Sequence, residues 1–272
     1  MTTTHTHTLE LTPEQLALDP LILLVPGLGN SGPRHWQSHW EAKVPDAKRV
    51  ELGMWDDPHR NTWVNQINLA VHRAGRPVIV VAHSLGCLAV AWWAEYEQPG
   101  LANPVVGALL VAPPDAERAG VDERIARFAP VPRRALPFPS FLAASENDPY
   151  ASLRAARGLA SDWGSTFAYA GSVGHINAES RIGDWDFGLL LLGQLVREHR
   201  SRSRPGEDGG SLRRHLSQRG QIPLPWAFEN LDGERSRRWC PAANHRGGPH
   251  LRSGPPRLIL SASTDGNSCP RL

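Results

Sequence analysis

Residues 77–97 hold the stretch that most limits what this chain can fold into. An apolar run, Pro77-Val-Ile-Val-Val-Ala82, meets His83-Ser84-Leu85-Gly86 and then Cys87-Leu-Ala-Val-Ala-Trp-Trp-Ala-Glu-Tyr-Glu97. The β-branched run predicts a buried strand. Leu88, Trp92 and Tyr96, spaced four apart, predict a packed helix after it. A serine trapped between two such elements sits on a tight turn with its hydroxyl outward. Backbone N–H groups close to that turn can take up oxyanion charge in acyl transfer. The usual spacing is Gly-x-Ser-x-Gly. Here it reads Ala82-His83-Ser84-Leu85-Gly86, with the next smallest residue in place of the first glycine.

A serine hydroxyl is a poor nucleophile near neutral pH, so Ser84 needs a histidine base, and that histidine needs a carboxylate to fix its tautomer. On an α/β-hydrolase sheet the order along the chain is Ser, acid, His. His175 lies in the glycine-bracketed loop Gly171-Ser-Val-Gly174-His175 after the last short strand, and is the candidate base. Asp148, at the end of the strand before it, is the candidate acid; its ordinary alternative is an Asx turn ahead of Pro149. Glu146 and Asp115 are further carboxylates in strand-end positions. His83 adjoins the nucleophile in sequence, but the turn directs it elsewhere, leaving a structural or pocket role.

The strands around these residues define the fold class. Leu21-Ile-Leu-Leu-Val25 is the first, and it ends in Pro26-Gly27-Leu28-Gly29-Asn30-Ser31-Gly32. That loop lacks the Gly-x-Gly-x-x-Gly register of a dinucleotide site and the Lys-Ser/Thr of a P-loop. It reads instead as a loop whose backbone N–H at Leu28 joins that of Leu85 in an oxyanion hole, with Ser31 in a turn or cap. A helix is expected over 35–41, a short strand over 49–52, and a helix over about 61–72. Trp55, in the loop between the last two, either lines a pocket or covers the core. Further strands are expected at 104–111, 140–144 and 166–170, with helices at 151–161 and 182–199. Residues 115–139 are mixed, with a short amphipathic piece at 121–128, and form either a small lid or a surface excursion. Strands alternating with helices imply an α/β three-layer sandwich with a mostly parallel sheet, whose ligands collect at the strands' carboxyl ends.

Composition divides the chain. Residues 1–200 carry 17 Lys/Arg and 21 Asp/Glu, whereas residues 201–272 carry 12 and 6, so the basic excess belongs to the tail. Specific nucleic-acid binding by the core is not expected. Periodicity fails after about residue 200, where Pro, Arg, Gly and Ser dominate. The expected organisation is a flexible N-terminus over 1–15, one α/β-hydrolase domain over 16–200, and a disordered tail over 201–272. Cys87, Cys240 and Cys269 form no metal-like cluster and no disulfide framework. His35 and His39 are four apart but lack the Glu of a His-Glu-x-x-His zinc motif and a third ligand nearby; His5 and His7 sit in a threonine-rich segment. No signal-peptide core and no membrane-length apolar run are present, so a cytoplasmic protein without membrane insertion is expected. The chemistry requires neither metal nor organic cofactor.

The same residues carry a family resemblance. The stretch Leu24-Val-Pro-Gly-Leu-Gly-Asn-Ser-Gly-Pro-Arg-His-Trp-Gln-Ser-His-Trp-Glu41 resembles the opening of the retinoblastoma-binding-protein-nine-like, or YdeN-like, serine hydrolases of the α/β-hydrolase superfamily. Trp55-Asp-Asp-Pro58, Ala82-His-Ser-Leu-Gly86, residues 144–149 and Gly174-His175 continue the likeness, which covers roughly residues 20–195. It implies a compact α/β-hydrolase with Ser84, Asp148 and His175 as its triad, and small ester or amide substrates. Ala82 and the tail after residue 200 depart from the pattern. Two other readings use the same residues: a thioesterase or acyltransferase, and a catalytically quiet binding module that keeps the fold.

Overall fold

The computed structural model describes residues 18–97 and 104–203. The expected flexible N-terminus and the tail beyond residue 203 lie outside these. Six strands, β1 (Leu21–Val25), β2 (Ala47–Arg49), β3 (Val78–His83), β4 (Val105–Val111), β5 (Ser140–Ala144) and β6 (Thr166–Tyr169), form one sheet in the order β2-β1-β3-β4-β5-β6. Every pairing is parallel. The described helices are α1 (Trp36–Lys43), α2 (Arg60–Arg73), α3 (Leu85–Glu97), α4 (Glu123–Ala126), α5 (Leu153–Trp163) and α6 (Asp186–Ser203). None of them is long and apolar enough to cross a membrane.

Parallel strands covered on both faces read as continuous apolar runs, and the two-residue period sorts their side chains. In β3, Val78, Val80 and Ala82 join one core cluster with Trp63 and Ile67 of α2, Leu88 of α3 and Trp163 of α5. Ile79 and Val81 join the other, with Trp36 and Trp40 of α1 and Leu191, Leu192 and Leu195 of α6. The chain therefore winds in both directions from β1. It passes outward to β2, then returns to place β3 on the other side. The reversal lies between β1 and β3, and the crevice outside their carboxyl ends is where such sheets bind ligands.

Three sequence expectations are corrected. The second strand occupies Ala47–Arg49 rather than 49–52: Ala47, Lys48 and Arg49 pair with Ile22, Leu23 and Leu24, and one further bond from Val50 N to the Leu24 carbonyl, 2.8 Å, closes the ladder. Val50 and Leu52 alternate because both are buried, not because both are paired. Helix α3 is not packed on a Leu88–Trp92–Tyr96 stripe. It is buried almost all round from Leu85 to Ala94, whereas Tyr96 is exposed and Trp92 is capped by the Arg60 guanidinium, 4.2 Å from its ring centroid. The last helix spans Asp186–Ser203 rather than 182–199. Residues 115–139, for which the sequence allows either a lid or a surface excursion, are fastened to the core: Ile125, Phe128 and Phe138 are buried, and the Phe128 and Pro132 carbonyls accept bonds from the Trp92 and Trp163 indoles, both 2.8 Å.

Candidate active site

The turn between β3 and α3 begins with a strained residue. Ser84 has φ 53°, the left-handed region that a non-glycine residue adopts only where its surroundings hold it. Its N–H donates to the Val111 carbonyl of β4, 2.8 Å, and its carbonyl accepts from Cys87 N, 2.9 Å. The helix can start at once because Gly86 has no side chain: a Cβ there would lie 2.4 Å from the Pro26 carbonyl oxygen. A Cβ on Gly27 would lie 2.7 Å from that of Ser84, so the loop after β1 passes directly beside the turn. Ala82 is fully buried in this setting, and close backbone approaches fall at Gly86 and Gly27. Cys87 is sealed in the same corner, where burial pushes its thiol pKa up and keeps it uncharged.

Ser84, Asp148 and His175 come together here. Ser84 Oγ is 2.8 Å from His175 Nε2, and His175 Nδ1 is 3.0 and 2.9 Å from the two Asp148 carboxylate oxygens. The carboxylate only accepts, so the neutral imidazole carries its proton on Nδ1 and leaves Nε2 to accept from the serine hydroxyl. Asp148 and His175 have side chains only 3% and 8% exposed, so water competes little for either bond. Ser140, another buried serine, begins β5 at the opposite end of the sheet, with its Oγ 2.7 Å from that of Ser165. The other carboxylates are engaged elsewhere. Glu146 accepts from the Tyr169 hydroxyl, 2.7 Å, and Asp115 accepts from Glu117 N, 3.2 Å.

Side chains that the sequence reading did not single out hold the acid and histidine loops together. Asn147 Oδ1 accepts from Ser145 Oγ, 2.9 Å, and from Gly174 N, 2.7 Å, while Ser145 Oγ accepts from Val173 N, 2.9 Å. Asp148 also accepts from Tyr150 N, 2.9 Å, and the half-exposed Tyr150 ring lies against His175 with centroids 4.5 Å apart. An Asn two residues after a strand-end Ser is a local signal for such a turn, but the Gly174 amide that it also holds lies 27 residues on. Trp55 packs on Trp63, ring centroids 6.0 Å apart, and its carbonyl accepts from Gly29 N, 2.9 Å, steadying the loop next to Leu28. His83, a pocket candidate in the sequence, is enclosed between His35, Trp36 and His175 instead. The two histidines spaced as metal ligands diverge: His35 caps α1 by accepting from Gln37 N, 3.1 Å, and His39 pairs with Asp184, 2.9 Å. Neither the Leu28 nor the Leu85 amide donates to an acceptor among the described residues.

The geometry can be set beside known proteins. The family described as serine hydrolase matches residues 22–194. A structure described as a YdeN-like hydrolase from Pectobacterium atrosepticum is 33% identical, over 68% of this chain and 95% of its own, with a TM-score of 0.59. The ydeN gene product of B. subtilis shares the fold at 16% identity, over 65% of this chain and 99% of its own, with a TM-score of 0.54. Est1E from Butyrivibrio proteoclasticus, in a structure with ferulic acid bound, shares it at 14% identity, over 70% and 91%, with a TM-score of 0.51. A comparison with curated proteins gave no match. The family match takes in nearly the whole sheet together with the loops that bear Ser84, Asp148 and His175, and this chain belongs to the serine hydrolase family, among its YdeN-like members.

Proposed function

We propose that this protein hydrolyses a small ester or amide through an acyl-enzyme on Ser84. The observation that carries the reading is the continuous hydrogen-bonded line from the Ser84 hydroxyl through His175 to the buried Asp148. As the Ser84 oxygen bonds to the substrate carbonyl carbon, its proton passes to His175 Nε2. Asp148 stabilises the imidazolium that forms and fixes its orientation. The unpartnered amides of Leu28 and Leu85 receive the oxyanion, and do so without reorganisation because both are held by the chain around them. His175 then gives its proton to the departing alcohol or amine as the carbonyl–leaving-group bond breaks. A water, deprotonated by His175, releases the acid and restores the serine. The half-exposed Tyr150 ring beside His175 offers an apolar wall and suits a substrate with an apolar face there. None of these steps calls on a metal or organic cofactor.

Intact-mass analysis after treatment with a fluorophosphonate, followed by peptide mapping, tests this. A single stoichiometric adduct on Ser84 is expected, and none in a Ser84→Ala protein of unchanged melting temperature. An adduct on another serine, or a folded wild-type protein that takes up no label, would overturn the assignment. Release of the acyl group to water rather than to an added thiol or alcohol separates hydrolysis from acyl transfer.

A further inference from the structure

We infer that His83, backed by His35, is a positioning residue that holds the His175 turn through a neutral imidazole; this rests on the reading of His175 as the base. The turn itself needs holding. Ile176 has φ 49°, a genuine outlier for a β-branched residue, and such a conformation persists only where neighbours over-determine it. Two side-chain donors do so on consecutive carbonyls. His83 Nε2 lies 3.0 Å from the His175 carbonyl oxygen, and Trp36 Nε1 donates to that of Ile176 at 2.7 Å. Ser84 and His83 are neighbours in sequence and grip opposite ends of the same residue: Ser84 bonds the His175 ring, and His83 bonds its backbone. A shift of the elbow therefore carries the base with it.

The protonation states follow from the partners. A carbonyl can only accept, so His83 Nε2 bears hydrogen. His35 Nδ1 accepts from Gln37 N, so its hydrogen is on Nε2, an atom that is buried and has no hydrogen-bond partner among the described residues. The His35 ring meets His83 edge-on with centroids 4.7 Å apart, and the His83 and His175 rings are 5.0 Å apart. Burial holds both rings neutral, His35 at about 3 and His83 well below the ordinary histidine value. The titratable groups facing His83 are His35 and His175; those facing His35 are Arg49, His175 and His39. All are cationic or become so on protonation. A charged His83 would thus oppose the imidazolium that His175 must form, whereas a neutral one supplies the N–H without a competing charge.

The test compares His83→Gln with His83→Phe in hydrolysis of p-nitrophenyl acetate. Glutamine places an N–H the same number of bonds from Cα as His Nε2, whereas phenylalanine keeps a ring and loses the donor. Expected is a kcat for His83→Gln within about threefold of wild type, and for His83→Phe a kcat lowered about 10- to 100-fold with KM within about twofold, since misplacing a reacting group by about 1 Å costs that order of rate. A role in packing alone gives the reverse order, Phe above Gln, and overturns the inference. The second measurement needs no variant: in wild-type protein labelled with 15N-histidine, His83 is expected as the neutral Nε2–H form at and below the ordinary histidine value of about 6.5, and a His83 ring that titrates near that value overturns the inference. Hydrolysis that survives in Ser84→Ala would sink the hydrolase reading and the positioning role together. Loss of hydrolysis in Ser84→Ala with the Phe-above-Gln order would sink the positioning role alone.

Discussion

Replacing Gly86 with alanine measures how tightly the elbow, helix α3 and the loop after β1 are coupled. A Cβ at this position would lie 2.4 Å from the Pro26 carbonyl oxygen and 2.7 Å from that of Val25. Ordinary contact begins at 3.4 Å, so the start of α3 and the end of β1 have to part by about 1.0 Å. Both obstacles are backbone, and no rotamer change relieves them. Overpacking of this kind costs about 1–3 kcal/mol, which lowers Tm by about 2–12 °C in a domain of roughly this size. The same displacement separates Ser84 and Leu85, at the head of α3, from the Leu28 amide beyond Pro26. Misplacement on that scale costs about 10²-fold in rate. Gly158 provides the control, because it is exposed within α5 with nothing within 4 Å of its added Cβ. There alanine is expected to gain about 0.5–1 kcal/mol. Thermal unfolding followed by circular dichroism reads the first effect, and the second-order rate of fluorophosphonate labelling, well below both midpoints, reads the second. A Gly86→Ala protein that melts with Gly158→Ala and labels within twofold of wild type would refute the coupling.

Two further outcomes follow from the site. Asp148→Asn turns an amide N–H₂ toward His175 Nδ1 and favours the wrong tautomer, so kcat for p-nitrophenyl acetate is expected to fall by about 10³–10⁴; activity within tenfold of wild type would move the acid elsewhere. Acidification is expected to destabilise the fold through His35 and His83, whose folded-state pKa values lie below that of an unfolded histidine. Below about pH 6.5 the unfolded chain binds a proton at each ring that the folded chain refuses, so stability present above that pH is lost beneath it. Between about pH 7.5 and 5.5 the loss is on the order of 1 kcal/mol for each ring. Urea midpoints at the two values measure it, His35→Gln should reduce it, and a flat profile would contradict the buried neutral pair.

What could be read from the chain, and what could not, depends on how local each signal is. β1 and β5 were legible residue for residue because a strand covered on both faces is apolar throughout its length. The elbow was legible because strand, turn and helix are consecutive, and Gly86 marks the crossing. Asp148 and His175 were legible through their positions at successive strand ends. The position of β2 is not legible because burial of Val50 and Leu52 mimics the alternation that pairing produces. Spacing does not reveal the packing of α3 because a helix enclosed on most sides has no single apolar stripe. The grip of His83 on His175 spans 92 residues of sequence and that of Trp36 on Ile176 spans 140, and nothing local at either end announces it.

These long-range bonds also explain why the site can tolerate two strained residues. Ser84 and Ile176 both sit at positive φ, and each such residue costs on the order of 1–3 kcal/mol unless its surroundings hold it. The sheet holds the first: Ser84 N extends the ladder to Val111 of β4, and Ala112 N extends it to Ala143 of β5. Side chains hold the second, through His83, Trp36 and the Asn147 bond to Gly174. The two sets meet at His175, bonded on its ring by Ser84 and Asp148 and on its backbone by His83. The donor and acceptor atoms of the proposed reaction are thus fixed relative to β3, β4 and β5 before any substrate arrives. A perturbation at any one of these anchors should therefore register first in kcat and only later in the melting temperature.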